Sequence, residues 1–149
     1  MKVQDLMHKD PVCCLLTHTI KEAAEIMVEC DCGAVPVVAG TEDMKLIGMV
    51  TDRDIVCRAV ALGKDPLETK VSSCFSTSVV AVVPQSTLED CLALMEKHQV
   101  RRLPVIDELG ACCGVVTQAQ IANHASEHQS ARLLRRLSKK SQETVEVSL

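Results

Sequence analysis

The sequence predicts an α+β fold made of two copies of one small unit. Thr19 aligns with Thr87, and Pro36 aligns with Pro104, so each pair is 68 residues apart. Within each copy, apolar runs of strand length alternate with segments of helical periodicity. Because the period is longer than that of solenoid repeats and occurs twice, it indicates a tandem duplication rather than a repeat array.

The copies predict a division of the chain into four segments. We expect the first unit over residues 1–61, a linker over 62–70, the second unit over 71–126, and a C-terminal helix and tail over 127–149.

Local signals predict the elements of the first copy. Thr19 and Glu22 form a capping box, which predicts a helix that begins after Thr19 and that Gly33 ends. The other expected elements are a short helix over 3–7, strands over 12–16, 34–38 and 46–50, and a helix that starts at Thr51 and runs through Val60. The strands over 34–38 and 46–50 should pair antiparallel across a hairpin loop.

The second copy repeats this order. We expect an opening segment over 71–75, a strand over 79–83, a helix from Ser86 or Thr87, a strand pair over 103–106 and 112–116, and a helix from Gln118. That last helix should run long, because an approximate helical stripe continues through Ile121, Ala125, Leu134 and Leu137.

Basic residues crowd the same C-terminal region: Arg132, Arg135, Arg136, Lys139 and Lys140. They fit a solvated helix end, where cations are favoured, or an arm that binds a partner or a second copy of the chain.

Composition excludes several classes of function. The net charge is −4, which gives no general attraction to nucleic acid or to an anionic membrane. Phe75 is the one aromatic residue, so the stacking platforms of single-strand nucleic-acid binders are absent. Asp5 and Asp10 interrupt any signal-peptide core, and no apolar stretch reaches membrane-spanning length. We therefore expect a cytoplasmic protein.

Nine cysteines are unusual for a chain of 149 residues. Most occupy positions where a small buried apolar residue would serve: Cys13, Cys14, Cys57, Cys91, Cys112 and Cys113. This favours reduced, mostly buried thiols in a reducing compartment. The alternative is a metal site at Cys30 and Cys32, for which zinc would be the candidate, although the chain has no C-x-x-C pair.

The most informative motif joins a strand to a helix and occurs twice. Gly48-Met49-Val50-Thr51-Asp52-Arg53-Asp54-Ile55 is matched by Gly114-Val115-Val116-Thr117-Gln118-Ala119-Gln120-Ile121. Thr51 and Thr117 stand at the turn, where a hydroxyl can cap the helix or face a ligand. The third residue after the threonine is Asp54 in one copy and Gln120 in the other, so the two halves are chemically unequal.

These motifs, with Ala34-Val35-Pro36-Val37-Val38 and Val100-Arg101-Arg102-Leu103-Pro104-Val105-Ile106, resemble the cystathionine-β-synthase (CBS) domain. Two such units, spanning about residues 3–125, resemble a stand-alone CBS pair, or Bateman module. The resemblance implies two β-α-β-β-α units packed sheet to sheet about a pseudo-two-fold axis, in a protein that forms homodimers. It also implies a regulatory module that binds AMP, ADP, ATP or another adenosyl ligand and controls a partner protein that the sequence does not identify.

The resemblance also implies site residues. Thr51 and Asp54 match the family's ligand motif, and Arg101 and Arg102 match its basic phosphate-binding position. The apolar wall around adenine corresponds to Val12, Cys13, Val35 and Pro36.

A second site should be weak. It has Thr117 and Gln120 in the ligand motif, and Gly33 and Ala34 stand where the other copy has its two arginines.

Other interpretations stay open. Helix capping alone would explain both threonines and Gln120. A metal or redox sensor would use cysteines, and an adaptor would bind no ligand. An enzyme is disfavoured, because the sequence contains no nucleophile–base constellation or specific metal-ligand motif.

Overall fold

The computed structural model describes the backbone of residues 1–148 and the side chains of residues 1–139. Six helices and six strands follow one another in the order α1 Val3–Leu6, β1 His8–Lys9, β2 Cys14–Leu15, α2 Ile20–Glu29, β3 Ala34–Val38, β4 Leu46–Thr51, α3 Asp52–Arg58, α4 Leu88–His98, β5 Arg102–Ile106, β6 Cys112–Thr117, α5 Gln118–Ala122 and α6 Glu127–Ser148. Short 3₁₀ turns lie at Val60–Leu62 and Val71–Ser73. The α+β class predicted from the sequence is confirmed.

The strands form two three-stranded sheets, ordered β2-β3-β4 and β1-β6-β5. In the first sheet, β2 runs parallel to β3 with Cys14 opposite Val37, and β3 pairs antiparallel with β4 as predicted. In the second sheet, β1 pairs antiparallel with β6.

The predicted strand over 79–83 is wrong. This segment contributes only an isolated parallel bridge between Val82 and Val105. That bridge is the counterpart of the pairing between Cys14 and Val37, because both of its residues are displaced by 68 positions. The strand predicted over 12–16 is likewise short, since only Cys14–Leu15 pairs.

By proximity of its Cα atoms, the chain divides into two compact units. The first-copy unit comprises residues 10–79 and 106–113, and the second-copy unit comprises residues 1–9, 80–105 and 114–149. The sequence copies at 1–61 and 71–126 stay a prediction, because compact units need not follow the borders of a duplication.

Each unit has buried apolar residues. In the first-copy unit, one cluster gathers α2, β3 and β4 around Ile20, Val35, Val37 and Val50, each at most 1% exposed. In the second-copy unit, α6 contacts both α4 and α5.

Three further predictions are corrected. The helix that starts after Thr19 ends at Glu29, because the chain turns at Asp31, whose φ is 48°, before it reaches Gly33. The helix from Gln118 ends at Ala122, and a new helix begins at Glu127. Cys57 is exposed rather than buried, although Cys14, Cys91 and Cys112 are buried as expected.

The C-terminal stripe also differs in register. Leu137 is buried as predicted. Leu134, which was also predicted to be buried, is 58% exposed, and Leu133 is buried instead. Lys140 and the predicted tail lie outside the residues whose side chains are described.

Within the described part of the chain, no helix is long and apolar enough to cross a bilayer.

Candidate functional site

The start of α3 carries the most distinctive polar geometry of the first-copy unit. Strand β4 passes directly into this helix, and Thr51 is its N-cap residue. Thr51 Oγ1 accepts a hydrogen bond from the Asp54 N–H at 3.0 Å, and Asp54 Oδ2 accepts one from the Thr51 N–H at 3.0 Å. The two predicted ligand residues are therefore fixed to each other by a capping box.

One carboxylate oxygen of Asp54 and the hydroxyl proton of Thr51 take no part in the cap. Asp54 Oδ1 lies 3.9 Å from Nε of Arg58, and the Asp54 side chain is 15% exposed. Among the described residues, the Thr51 hydroxyl donates to no protein acceptor. The site thus offers one carboxylate oxygen as an acceptor and one hydroxyl as a donor.

Arg58 was missed by the sequence analysis. Its Nη1 donates to the carbonyl oxygens of Cys74 and Phe75, both at 3.4 Å, which holds the guanidinium near Asp54. The i,i+4 spacing from Asp54 on a helix is the signal that would have identified it.

At the equivalent position in the second-copy unit, the side-chain oxygen of Gln120 accepts two hydrogen bonds. Gln120 Oε1 accepts from the Thr117 N–H at 2.8 Å and from the Thr117 hydroxyl at 3.2 Å. Both lone pairs of that oxygen are therefore engaged, and only the amide nitrogen remains for another partner. The predicted inequality of the two copies thus has a geometric counterpart.

The four predicted wall residues differ in accessibility. Val35 is 1% exposed and belongs to the core, and Pro36 is also buried. Val12 is 53% exposed, and Cys13 is half-buried. Val12 is therefore the most exposed apolar side chain of the four.

Arg101 and Arg102 belong to the second-copy unit. The carbonyl oxygen of Arg101 accepts from the Gln118 N–H at 2.9 Å, just as Gly33 O accepts from the Asp52 N–H at 2.9 Å in the other copy. Among side chains that the structure describes, neither guanidinium takes part in an ion pair.

The cysteine alternative has little geometric support. Cys30 is exposed and Cys32 is partly buried. Of the described residues, no three or more histidine, cysteine or acidic side chains are gathered as metal ligands would be.

A groove of about 460 Å³ lies along α4 and α6 in the second-copy unit. Its lining includes Glu96, whose carboxylate is 3.2 Å from Nε of Arg132. None of the predicted site residues lines this groove.

Comparisons with known proteins agree with the fold. The family model for the CBS domain matches residues 3–60 and 71–127. Hypoxic response protein 1 of Mycobacterium tuberculosis is 39% identical over 125 residues, which cover 84% of this chain and 85% of that protein.

Two solved structures are also similar. The crystal structure of Hypoxic Response Protein I with two coordinated zinc ions has a TM-score of 0.76 and 36% identity, covering 85% of this chain and all of that one. The CBS domain pair of protein MJ0100, in complex with 5′-methylthioadenosine and S-adenosyl-L-methionine, has a TM-score of 0.72 and 26% identity, covering 83% of this chain and 94% of that one. The chain therefore belongs to the CBS-domain family and carries a tandem pair of these domains.

Proposed function

We propose that this CBS pair is a regulatory module that binds an adenosyl nucleotide such as AMP, ADP or ATP. The observation that carries the proposal is the Thr51–Asp54 pair, in which the Thr51 hydroxyl proton and Asp54 Oδ1, 3.9 Å from Arg58 Nε, take no part in the cap. A ribose diol presents hydroxyl donors, and a carboxylate oxygen accepts them in strong, charge-assisted hydrogen bonds. The adenosyl ligands of the MJ0100 domain pair support the same ligand class.

The residue roles that we propose are those that the resemblance to CBS domains implies. Thr51 and Asp54 bind the ribose, Val12, Cys13, Val35 and Pro36 support the adenine, and Arg101 and Arg102 bind the phosphate. Thr117 and Gln120 form a weaker second site, because the Gln120 carbonyl oxygen is already engaged twice.

Binding should be measured by isothermal titration calorimetry with AMP, ADP, ATP, NAD and S-adenosylmethionine. In Asp54→Asn, the amide oxygen can still cap α3 but the charge is lost. Removing a charge-assisted hydrogen bond costs about 1.5–3 kcal/mol, so we expect affinity to fall roughly ten- to hundredfold.

The chain offers a matched control. Asp90 caps α4 in the same way, with its Oδ2 accepting from the Thr87 N–H at 2.8 Å. Asp90→Asn should therefore affect the cap of α4 as Asp54→Asn affects that of α3, and it should leave nucleotide affinity unchanged. Equal losses of affinity in the two variants would contradict a ligand role for Asp54.

The second site permits a gain-of-function test. Gln120→Glu introduces the missing charge at the start of α5, so we expect a second binding event or a rise in stoichiometry. No binding by any adenosyl compound, in wild type or in this variant, would instead favour a ligand-free adaptor.

A zinc- or redox-sensing function is the second candidate, favoured by the two zinc ions of Hypoxic Response Protein I. It predicts that zinc co-purifies and that Cys30→Ser or Cys32→Ser lowers the zinc content measured by elemental analysis. Protein that purifies without zinc, and whose metal content neither substitution changes, would exclude the zinc-sensing function.

We further propose that the module acts as a cytoplasmic homodimer and signals through another protein. A CBS pair can act as a switch when the ligand binds one of two arrangements more tightly. Light scattering with and without nucleotide would measure the oligomeric state.

A further inference from the structure

Two cysteines that are far apart in the sequence are in contact within the first-copy unit. The thiol of Cys13, just before β2, is hydrogen-bonded to that of Cys112, the first residue of β6. The backbone brings these segments together independently, because the Asp10 N–H donates to the carbonyl oxygen of Cys113 at 3.4 Å.

Both thiols are held in place. The Cys112 N–H donates to the carbonyl oxygen of Met44 at 2.8 Å, and its side chain is only 5% exposed. Cys13 is half-buried, and its Sγ also lies 3.4 Å from the carbonyl oxygen of Pro11. Cys13 is therefore the more accessible thiol to a reagent, and Cys112, which is buried, reacts second.

We propose that Cys13 and Cys112 form an intramolecular disulfide when the protein meets a low-molecular-weight disulfide. The Cys13 thiolate attacks one sulfur of the reagent, RS–SR, which forms a mixed disulfide and releases one RSH. Cys112 then attacks Cys13 Sγ, which forms the Cys13–Cys112 bond and releases the second RSH. Two protein thiols are oxidised, and one reagent disulfide is reduced to two thiols.

The reaction should be slow at neutral pH. The hydrogen bond to Cys112, together with burial, raises the pKa of the Cys13 thiol above its usual range, so the attacking thiolate is scarce. Exposed Cys30 and Cys57 should accordingly form mixed disulfides first. This order separates a specific buried pair from general thiol oxidation.

The test is to incubate the purified full-length protein with oxidised glutathione, block free thiols with N-ethylmaleimide, and map disulfides by mass spectrometry. Trypsin places Cys13 in peptide 10–21 and Cys112 in peptide 103–132, so the proposal predicts that these two peptides become linked in protein that runs as a single chain on a non-reducing denaturing gel. The link should disappear in Cys13→Ser and in Cys112→Ala. It should persist in Cys113→Ala, whose cysteine lies next to Cys112 in the same peptide.

A second readout does not depend on peptide mapping. The closed loop spans most of the chain, so the oxidised protein should melt at a higher temperature, and a reducing agent should reverse the shift. Mixed disulfides alone, a link between two chains, or a link that persists in Cys112→Ala would each overturn the proposal. Neither readout involves a nucleotide, so the result is independent of the proposed function.

Discussion

The substitution Gly48→Ala tests how tightly the strand before the candidate site is packed. A Cβ atom on Gly48 would lie 2.4 Å from the carbonyl oxygen of Ser76 and 2.5 Å from Cδ2 of Phe75. The Ser76 carbonyl has little freedom to move, because Met49 and Ser76 exchange two backbone hydrogen bonds, of 3.0 and 2.8 Å. An added methyl group must therefore break this bridge or displace the aromatic ring.

The expected cost follows from these contacts. Two lost backbone hydrogen bonds contribute about 1 kcal/mol each, and overpacking contributes about 1–3 kcal/mol more, which gives roughly 3–5 kcal/mol. With an urea m-value of about 2 kcal/mol/M, the unfolding midpoint should fall by about 2 M. Far-UV circular dichroism is the suitable probe, because the chain has no tryptophan or tyrosine.

Two other glycines provide graded controls. At Gly114, a Cβ would lie 2.7 Å from Sδ of the flexible Met7 side chain and 3.1 Å from the His8 carbonyl oxygen. Because this backbone contact is longer than the 2.4 Å contact at Gly48, Gly114→Ala should cost less than Gly48→Ala. At Gly40, the nearest atom within 4 Å is Asp43 Oδ1 at 3.7 Å, an ordinary contact, so Gly40→Ala should change stability by less than about 1 kcal/mol. An unfolding midpoint of Gly48→Ala equal to that of Gly40→Ala would refute the close packing described at Gly48.

Three further predictions concern the second-copy unit. Leu133 is 2% exposed, so Leu133→Ala should lower the free energy of unfolding in urea by about 2–5 kcal/mol. Leu134 is 58% exposed, so Leu134→Ala should lower it by less than about 0.5 kcal/mol, and equal losses would contradict the register of α6. Burial raises the pKa of Cys91 from 9.0 to about 11, so the unfolded thiol ionises first and stability should fall between about pH 9 and pH 11. Burial raises the pKa of Cys14 in the same way, so Cys91→Ala should reduce, without abolishing, the fall in melting temperature across that window. Thr87→Ala should remove the cap on α4 and cost about 1 kcal/mol in chemical unfolding, while Thr87→Ser retains the hydroxyl and should cost clearly less.

Local structure was largely predictable because its causes are local. The capping box of Thr19 and Glu22 places the start of α2, and Thr87 caps α4 in the same manner. The run 34–38 is apolar throughout and became β3 with unchanged bounds. These signals lie within a few residues of the structure they specify.

The predictions failed where distant residues decide the outcome. The run 79–83 is as apolar as a strand, yet only Val82 pairs with a neighbour. The sequence is compatible with an apolar stripe on α6 that contains either Leu133 or Leu134, and only packing against other helices distinguishes the two. At the site, Thr51 and Asp54 form the predicted local pair, whereas Arg58 depends on the carbonyl groups of a segment beyond the helix.

The way the chain passes between its two compact units bears on how the protein is made. The first-copy unit is completed by residues 106–113, and the second-copy unit includes residues 1–9. During synthesis, the first-copy unit therefore cannot be completed until residues 106–113 are translated, well after residue 79. Residues 1–9 likewise cannot pack until residues 80–105 and 114–149 of their own unit have been made. Non-local closure of this kind slows folding, and it makes either sequence copy, expressed alone, an incomplete fragment rather than a domain.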